Sequence, residues 1–133
     1  YIEPEDVLQE DKENIRELFS TLGLHNRTEY ILNASKFLAS DKEMSQENLL
    51  EVKGIGRYTA NAFLSLHKGE RYPVVDGNVI RVFRKHLNLD ESLGSTDKEV
   101  WELASDLLPH EDVRKYNLGL LDYGAELYGK NPE

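Results

Sequence analysis

One glycine pair and one carboxylate are the residues of this sequence with the clearest chemical potential. Gly54 and Gly56 flank Ile55 in L-E-V-K-G-I-G-R-Y-T, between two helical patterns, and Asp76 follows Gly56 by twenty residues. Glycine at both positions allows positive φ and removes side chains from the outer face of a turn. Amides at the next helix start can then bind a phosphate oxygen, aided by the helix dipole. The stretch predicts either a phosphate-binding hairpin or a turn whose glycines only cap and reverse the chain.

Charge is distributed unevenly, and the only basic section contains the glycine pair. The 133 residues carry a net charge of −9. Residues 1–52 have 5 basic and 12 acidic side chains, residues 53–87 have 7 and 2, and residues 88–133 have 4 and 11. Lys53 and Arg57 lie on either side of the hairpin. The total charge argues against general nucleic-acid binding, whereas the local basic section still permits contact with DNA.

Asp76 stands at a predicted helix start, in V-V-D-G-N-V-I-R-V-F-R. Aspartate is a preferred N-cap, with a stabilising effect of about 1 kcal/mol. From the residues alone this structural role is favoured. A carboxylate is also the group that stabilises a developing positive charge and orients or deprotonates water. Both roles are compatible, because a cap uses one carboxylate oxygen.

The apolar pattern predicts an all-α chain, in a single domain over residues 1–133. Apolar residues recur at i, i+3 and i+4 in most of the sequence. The connector R-Y-P-V-V is expected to be extended, because Pro73 disfavours helix before it. Predicted helix starts have Asn26, Ser45, and Ser95 or Thr96 as caps. The predicted helices cover residues 4–10, 12–20, 26–39, 45–52, 57–68, 76–88, 96–107 and 112–127, and their buried stripes include Leu18, Leu38, Leu50 and Leu107, with Trp101 in the core.

Several classes of site and location are excluded or disfavoured by composition. The sequence has no cysteine, so it holds no disulfide and no thiolate metal site. It shows neither a transmembrane run nor a signal peptide. We therefore expect no membrane contact and a location inside the cell, in cytoplasm, nucleoid or nucleus. His67, His86 and His110 lack metal-ligand spacing and are expected at the surface.

In combination, these motifs resemble the helix–hairpin–helix (HhH-GPD) superfamily of DNA glycosylases, which includes endonuclease III, MutY adenine glycosylases and thymine/uracil mismatch glycosylases. L-L-E-V-K-G-I-G-R-Y-T-A-N-A-F-L-S-L, within residues 46–67, is similar to the family's helix–hairpin–helix. The Asp76 segment, residues 76–88, resembles the catalytic-aspartate helix, and T-D-K-E-V-W-E-L-A-S-D-L-L-P with Y-N-L-G-L-L-D-Y-G-A resembles the C-terminal helices. The resemblance implies an all-α glycosylase domain with double-stranded DNA as its partner.

The resemblance implies catalytic roles for two residues. Asp76 would face the sugar of a flipped nucleotide and stabilise the positive charge formed as the N-glycosidic bond breaks. Tyr58 occupies the position of the lysine that attacks the sugar in bifunctional relatives, and tyrosine forms no Schiff base. A monofunctional enzyme acting on thymine or uracil opposite guanine is implied, with Tyr58 in the base pocket. The alternative for Tyr58 is a half-buried helix residue.

Further DNA contacts follow from the same resemblance. T-L-G-L-H-N-R is similar to the family loop that inserts a wedge into the duplex as the base leaves. Leu24 matches the wedge, although an ordinary connection with Leu24 packed inside is the alternative. The remaining DNA-contact residues implied are His25, Arg27, Lys53, Gly54, Ile55, Gly56, Arg57 and Arg81. A sodium or potassium ion at the hairpin residues Val52 and Ile55 is also implied.

Two departures from the family bear on the assignment. Many relatives hold an iron–sulfur cluster on four cysteines, and Tyr128 stands where the first would fall, so we expect no cluster; a chain cut before the other ligands is the alternative. The family's N-terminal helices precede the segment that matches Tyr1. A separate N-terminal segment or a second chain is therefore expected to complete the domain. The rival functions are a MutY-type adenine glycosylase, against which Tyr58 argues, and a non-catalytic DNA-binding module.

Overall fold

The computed structural model describes residues 3–24 and 27–130, and all regular elements within these ranges are helical. In chain order they are α1 (Pro4–Gln9), α2 (Lys12–Thr21), α3 (Thr28–Leu38), α4 (Gln46–Leu50), α5 (Arg57–Ala62) with a π-helical turn (Phe63–His67), α6 (Gly77–Leu87), α7 (Lys98–Leu107) and α8 (Val113–Lys130). The predicted all-α fold is confirmed. The chain forms two compact units, one up to Ala60 and one from Asn61 onward. The single domain over residues 1–133 stays a prediction.

In the first unit, α3 packs against both α1 and α2. The buried side chains of this unit include Ile15 on α2, Phe37 on α3 and Leu49 on α4. An ion pair joins Lys12 to Glu29 at the starts of α2 and α3. The Lys12 ammonium hydrogen-bonds to the Glu29 carboxylate and holds its pKa below the usual value. These short helices are thus held by a small apolar core and by polar contacts at their ends.

The predicted cap of α4 is confirmed, whereas that of α3 is not described. Ser45 is the N-cap of α4, and its hydroxyl accepts the Asn48 N–H at 3.1 Å. Asn26, expected to cap α3, lies outside the described residues. The N-cap position of α3 is occupied by Arg27, whose side chain makes no capping bond.

The predicted cap of α7 is wrong. Asp97 is the N-cap, rather than Ser95 or Thr96. Two contacts explain the shift: the Trp101 indole donates to the Ser95 carbonyl at 2.8 Å, and the Asp97 carboxylate accepts the Gly94 N–H at 2.7 Å. The turn before α7 is therefore closed from both ends, and the helix begins after it.

The second unit is built around α6, which packs against α8. Its core cluster consists of Val75, Val79, Ile80, Phe83, Val100, Trp101 and Ala104. Trp101 is 4% exposed, which confirms its predicted core position. Gly124 on α8 lies against the first turn of α6, where an added Cβ would overlap the backbone carbonyl of Asn78. The absence of a side chain at Gly124 is what allows the two helices to approach so closely.

Some of the predicted buried positions are wrong. Leu18, Leu38, Leu50 and Leu107 are all exposed, with Leu18 at 51%. The described neighbours within each unit cover only part of each helix circumference. Ile15 and Phe37 occupy the covered side, so leucines at the edge of each stripe remain in contact with solvent.

The predicted helix over residues 57–68 changes type halfway along. After α5 the chain forms a π-helical turn, in which the Lys68 N–H donates to the Phe63 carbonyl at 3.3 Å. Gly69, at φ +72°, follows the last residue of the predicted range and ends the helix. The buried Ser65 hydroxyl in this turn accepts a hydrogen bond from the Asn117 side chain at 2.6 Å. The π turn therefore presents a polar group to α8, in a bond that links elements far apart in sequence.

No helix in the described ranges is long and apolar enough to cross a bilayer.

Two glycines on α8 provide a test of the α6–α8 packing. Gly124→Ala places a methyl group against the Asn78 carbonyl and should lower the free energy of unfolding by about 1–3 kcal/mol. Gly119→Ala is the matched control, because a Cβ there meets nothing within 4 Å. Removing a helical glycine should raise stability by about 0.5–1 kcal/mol. Urea denaturation measures both, and equal stability changes in the two variants would contradict the close approach.

Candidate functional site

The glycine hairpin lies between α4 and α5, and backbone hydrogen bonds shape it. The Ile55 N–H donates to the Val52 carbonyl at 3.0 Å, which closes the turn. The Ala60 N–H donates to the Gly56 carbonyl at 2.9 Å, which opens α5. Within the part of the chain that the structure covers, no backbone carbonyl accepts the Gly56 N–H. An amide of this kind at a helix start is suited to a phosphate oxygen.

Gly54 anchors the hairpin to α3. Its φ is +102°, and a Cβ there would overlap the Tyr30 ring. The Asn33 side-chain amide donates to the Lys53 carbonyl at 3.3 Å. The Arg27 guanidinium carbon lies 5.9 Å from the centroid of the same Tyr30 ring. Two predicted DNA-contact groups, Arg27 and the hairpin, are therefore brought to one aromatic side chain.

Gly56 differs from Gly54 in that it does not use the positive φ that glycine allows. Gly54 has a positive φ, whereas Gly56 does not. A Cβ at Gly56 would meet nothing within 4 Å. The fold itself therefore does not require glycine at this position. The missing side chain leaves the outer face of the hairpin open to a ligand.

The remaining DNA-contact candidates of the first unit are accessible. Lys53 and Arg57 are exposed, and Ile55 is half-buried. Leu24 is 41% exposed, so the alternative in which it packs inside is wrong. Tyr58, on α5, is also 41% exposed. His25 lies outside the described residues.

Asp76 is the N-cap of α6, as predicted, and its two oxygens have different partners. Oδ1 accepts the N–H groups of Asn78 at 2.8 Å and Val79 at 3.0 Å. Oδ2 accepts the Asn78 side-chain amide at 3.1 Å. One oxygen therefore starts the helix, and the other keeps lone-pair capacity for a further interaction in a half-buried position.

A chain of contacts behind Asp76 orients the Asn78 side chain. The Arg81 Nη1 donates to the Asn78 Oδ1 at 2.7 Å and to the Gly124 carbonyl at 2.9 Å. The Arg81 guanidinium carbon lies 4.7 Å from the Tyr128 ring centroid, within cation–π range. Because Arg81 takes the amide oxygen of Asn78, the NH₂ group is directed at Asp76. Arg81 thus has a role inside the protein, and its DNA contact stays a prediction.

Buried amides clamp the extended connector that leads to Asp76. Asn61 is 1% exposed and donates to the Pro73 carbonyl at 2.9 Å. Asn117 is equally buried and donates to the Tyr72 carbonyl at 2.9 Å. Neither residue was predicted from the sequence. The available signal was an asparagine at an inward position of an apolar helical stripe, which requires a buried hydrogen-bond partner.

The chain does not supply ligands for an iron–sulfur cluster. Its 133 residues include no cysteine, so none of the usual thiolate ligands is present. Tyr128, at the position expected for the first ligand, packs on Arg81 instead. Over the ranges that the structure describes, no group of three or more histidine, cysteine or acidic side chains is arranged to hold a metal ion. His67, His86 and His110 are exposed, as predicted.

Fold and site together define a helix–hairpin–helix protein with an N-capping carboxylate in a polar network. A family model described as HhH-GPD superfamily base excision DNA repair protein matches residues 1–110. The chain belongs to this superfamily.

Named relatives fall into two groups. The chain is 32% identical over 127 residues to a thymine/uracil-DNA glycosylase of Methanothermobacter thermautotrophicus, covering 91% of this chain and 58% of that protein. It is 34% identical over 122 residues to an adenine DNA glycosylase of Arabidopsis thaliana, covering 88% of this chain and 19% of that protein. The solved structure of a thermostable thymine-DNA glycosylase matches with a TM-score of 0.82 at 31% identity, over 94% of this chain and 60% of that one.

The two hairpin glycines should respond differently to alanine. Gly54→Ala forces positive φ and an overlap with Tyr30, so it should lower stability by more than about 1 kcal/mol. Gly56→Ala should change stability by less than about 0.5 kcal/mol and still weaken duplex DNA binding, because its methyl group covers the open amide face. Urea denaturation and fluorescence-anisotropy titration separate the two effects. Unchanged DNA binding by Gly56→Ala would contradict the assignment of this face.

Proposed function

We propose that this chain is the catalytic domain of a monofunctional DNA glycosylase that removes thymine or uracil opposite guanine in duplex DNA. The observation that carries the proposal is the geometry at Asp76, where Oδ1 caps α6 and Oδ2 keeps capacity for the substrate. Membership of a base excision repair superfamily supports it. Such an enzyme acts in the compartment that holds the DNA, which is the cytoplasm or nucleoid, or the nucleus.

The proposed reaction is hydrolysis of one N-glycosidic bond in a flipped nucleotide. Flipping takes the base out of the stack and exposes its sugar. As the bond breaks, its electron pair leaves with the base and positive charge develops on the sugar. The Asp76 carboxylate stabilises that charge, and water adds at the anomeric carbon while losing its proton. The products are the free base and an abasic site.

The hairpin has a binding role in this proposal. Its open Gly56 N–H donates a hydrogen bond to a backbone phosphate oxygen, and Lys53 and Arg57 add positive charge on either side. Leu24 acts as the wedge that fills the space left by the flipped base, and its exposure supports this. A monovalent cation at the Val52 and Ile55 carbonyls would reinforce the phosphate contact.

The choice of water as nucleophile rests on Tyr58. Tyrosine has no amine and cannot form the imine intermediate that precedes strand cleavage. The exposure of its ring on α5 supports a contact with the base or sugar.

An adenine glycosylase is the second candidate function. It is favoured by the 34% identity to the Arabidopsis thaliana protein. Tyr58 argues against it, by resemblance to the thymine/uracil enzymes. Parallel assays with G:T, G:U and A:8-oxoguanine duplexes decide between the two. Adenine release alone would replace the preferred substrate.

Replacing Asp76 tests the enzyme assignment. Asp76→Asn should abolish base release and leave duplex binding nearly unchanged. Its free energy of unfolding should fall by about 1 kcal/mol, because asparagine is an equally good N-cap but its NH₂ group cannot accept the bond from Asn78. The measurement is single-turnover release from a G:U duplex by the complete protein. A wild-type protein that binds DNA and releases no base from any of the three duplexes would show a non-catalytic binding module instead.

Product analysis tests the monofunctional mechanism. The wild-type protein should leave an abasic site with an intact strand, and borohydride should trap no covalent protein–DNA adduct, because Tyr58 offers no amine. Alkali treatment then cleaves the abasic strand and serves as the positive control. A borohydride-trapped adduct would contradict the role of water as nucleophile.

A further inference from the structure

A cleft of about 470 Å³ lies beside the hairpin in the first unit. Gly56, which carries the open amide, is not among its lining residues. The charged residues that line the cleft are Lys36 on α3, Lys42 in the loop after α3, and Lys53 at the hairpin. Phe37 and Val52 provide its apolar wall. We refer to it as the lysine cleft. An apolar wall under ammonium groups suits lysine stems, which pack on it while the charges face the solvent.

Charge of one sign is collected in the lysine cleft, although the chain as a whole has a net charge of −9. Asp41 and Glu43 flank Lys42 in the sequence, and neither lines the cleft. Over the described ranges, no acidic side chain forms an ion pair with any of the three lysines, whereas Lys12, Lys98 and Lys130 each have a glutamate partner. The Glu29 carboxylate is close enough to Lys36 for the lysine charge to help lower its pKa, although the two form no ion pair. Three lysines along one surface depression still give it a net positive potential, which attracts anions.

The walls of the lysine cleft are held in place by hydrogen bonds. Asn33, on α3, donates to the Lys53 carbonyl at 3.3 Å and so ties the hairpin side of the cleft to the helix. On the other side, the Ser40 hydroxyl donates to the Phe37 carbonyl at 2.6 Å and accepts the Lys42 N–H at 3.3 Å. These hydrogen bonds therefore fix the distance between the cleft and the hairpin within the first unit.

We propose that the lysine cleft binds a second backbone phosphate of the DNA strand that the hairpin holds. The proposal rests on the proposed function for the hairpin itself. Lys53 belongs to both surfaces, so a strand bound at the hairpin amide passes within reach of the cleft. Lysine binds phosphate as a flexible point charge, which suits a backbone contact without base readout.

Salt dependence of binding is the direct test. Each phosphate neutralised by a lysine contributes about −0.9 to the slope of log K against log salt concentration. Because the cleft is proposed to bind one phosphate, the double variant Lys36→Gln/Lys42→Gln should reduce the magnitude of that slope by about 0.9 in the complete protein with a G:U duplex. Base release at saturating DNA should be unchanged, since neither lysine belongs to the catalytic or hairpin residues.

The control variant removes the same charge elsewhere. Lys98→Gln/Lys130→Gln changes the net charge equally, at exposed positions outside the cleft. Its slope should equal that of the wild-type protein, and Lys36→Arg/Lys42→Arg should retain the wild-type slope. Equal slopes for the cleft variant and the wild-type protein would overturn the proposal. So would equal slope reductions in the cleft and control variants.

Two further outcomes identify the source of the anion and separate this proposal from the proposed function. Calorimetry with inorganic phosphate shows whether the cleft serves a free anion. Phosphate binding that depends on Lys36 and Lys42, together with an unchanged DNA slope, would overturn the assignment to DNA. A reduced slope in a protein that releases no base would support the cleft and refute the glycosylase. Base release together with an unchanged slope would refute the phosphate site in the cleft and support the glycosylase.

Discussion

The hydrogen bonds from the Asn78 and Val79 amides to Asp76 Oδ1 are the interaction on which the second unit depends. They fix the first turn of α6, and the core cluster is assembled on the helix that follows. They also divide the carboxylate into two functional halves, because all the capping falls on one oxygen. The other oxygen is oriented by Asn78, whose own amide is set by Arg81. Structural and catalytic demands on Asp76 are thereby compatible.

Several distant elements converge on this one residue. Asn61 and Asn117 hold the carbonyls of the connector before Asp76, and Gly124 permits α8 to approach the turn after it. Pre-organisation of this kind keeps a charged group in place without reorganisation during a reaction. The first unit relies on glycines and lysines rather than on an oriented carboxylate. There, Gly54 lies against the Tyr30 ring, and Gly56 has no side chain to cover its backbone amide. Three lysines line the neighbouring cleft. In a chain with a net charge of −9, these features place a local positive charge beside an open backbone amide.

Local features were predictable from the sequence, and long-range ones were not. The Asp76 and Ser45 caps and the end of the helix predicted over residues 57–68 follow from short-range patterns, and all are observed. The α7 cap was wrong because an indole six residues away takes the Ser95 carbonyl. The partners of the buried asparagines are distant in sequence: Asn117 bonds to Ser65, 52 residues before it, and Asn61 bonds to Pro73, 12 residues after it. The exposed leucines depend on which sides of each helix its neighbours cover, and periodicity alone does not specify this. The family resemblance identified the candidate residues, whereas the network that orients Asp76 required coordinates.

In the proposed reaction, the Asp76 carboxylate stabilises the positive charge that develops on the sugar. The most direct test of this role is the affinity of the complete protein for a duplex in which a cationic pyrrolidine replaces the target sugar, compared with the same duplex bearing a neutral tetrahydrofuran. A transition-state mimic should bind at least about 100-fold more tightly to the wild-type protein. Asp76→Asn should lose that preference while binding the neutral duplex as well as the wild-type protein does. An undiminished preference for the cation in Asp76→Asn would show that this carboxylate does not stabilise the charge.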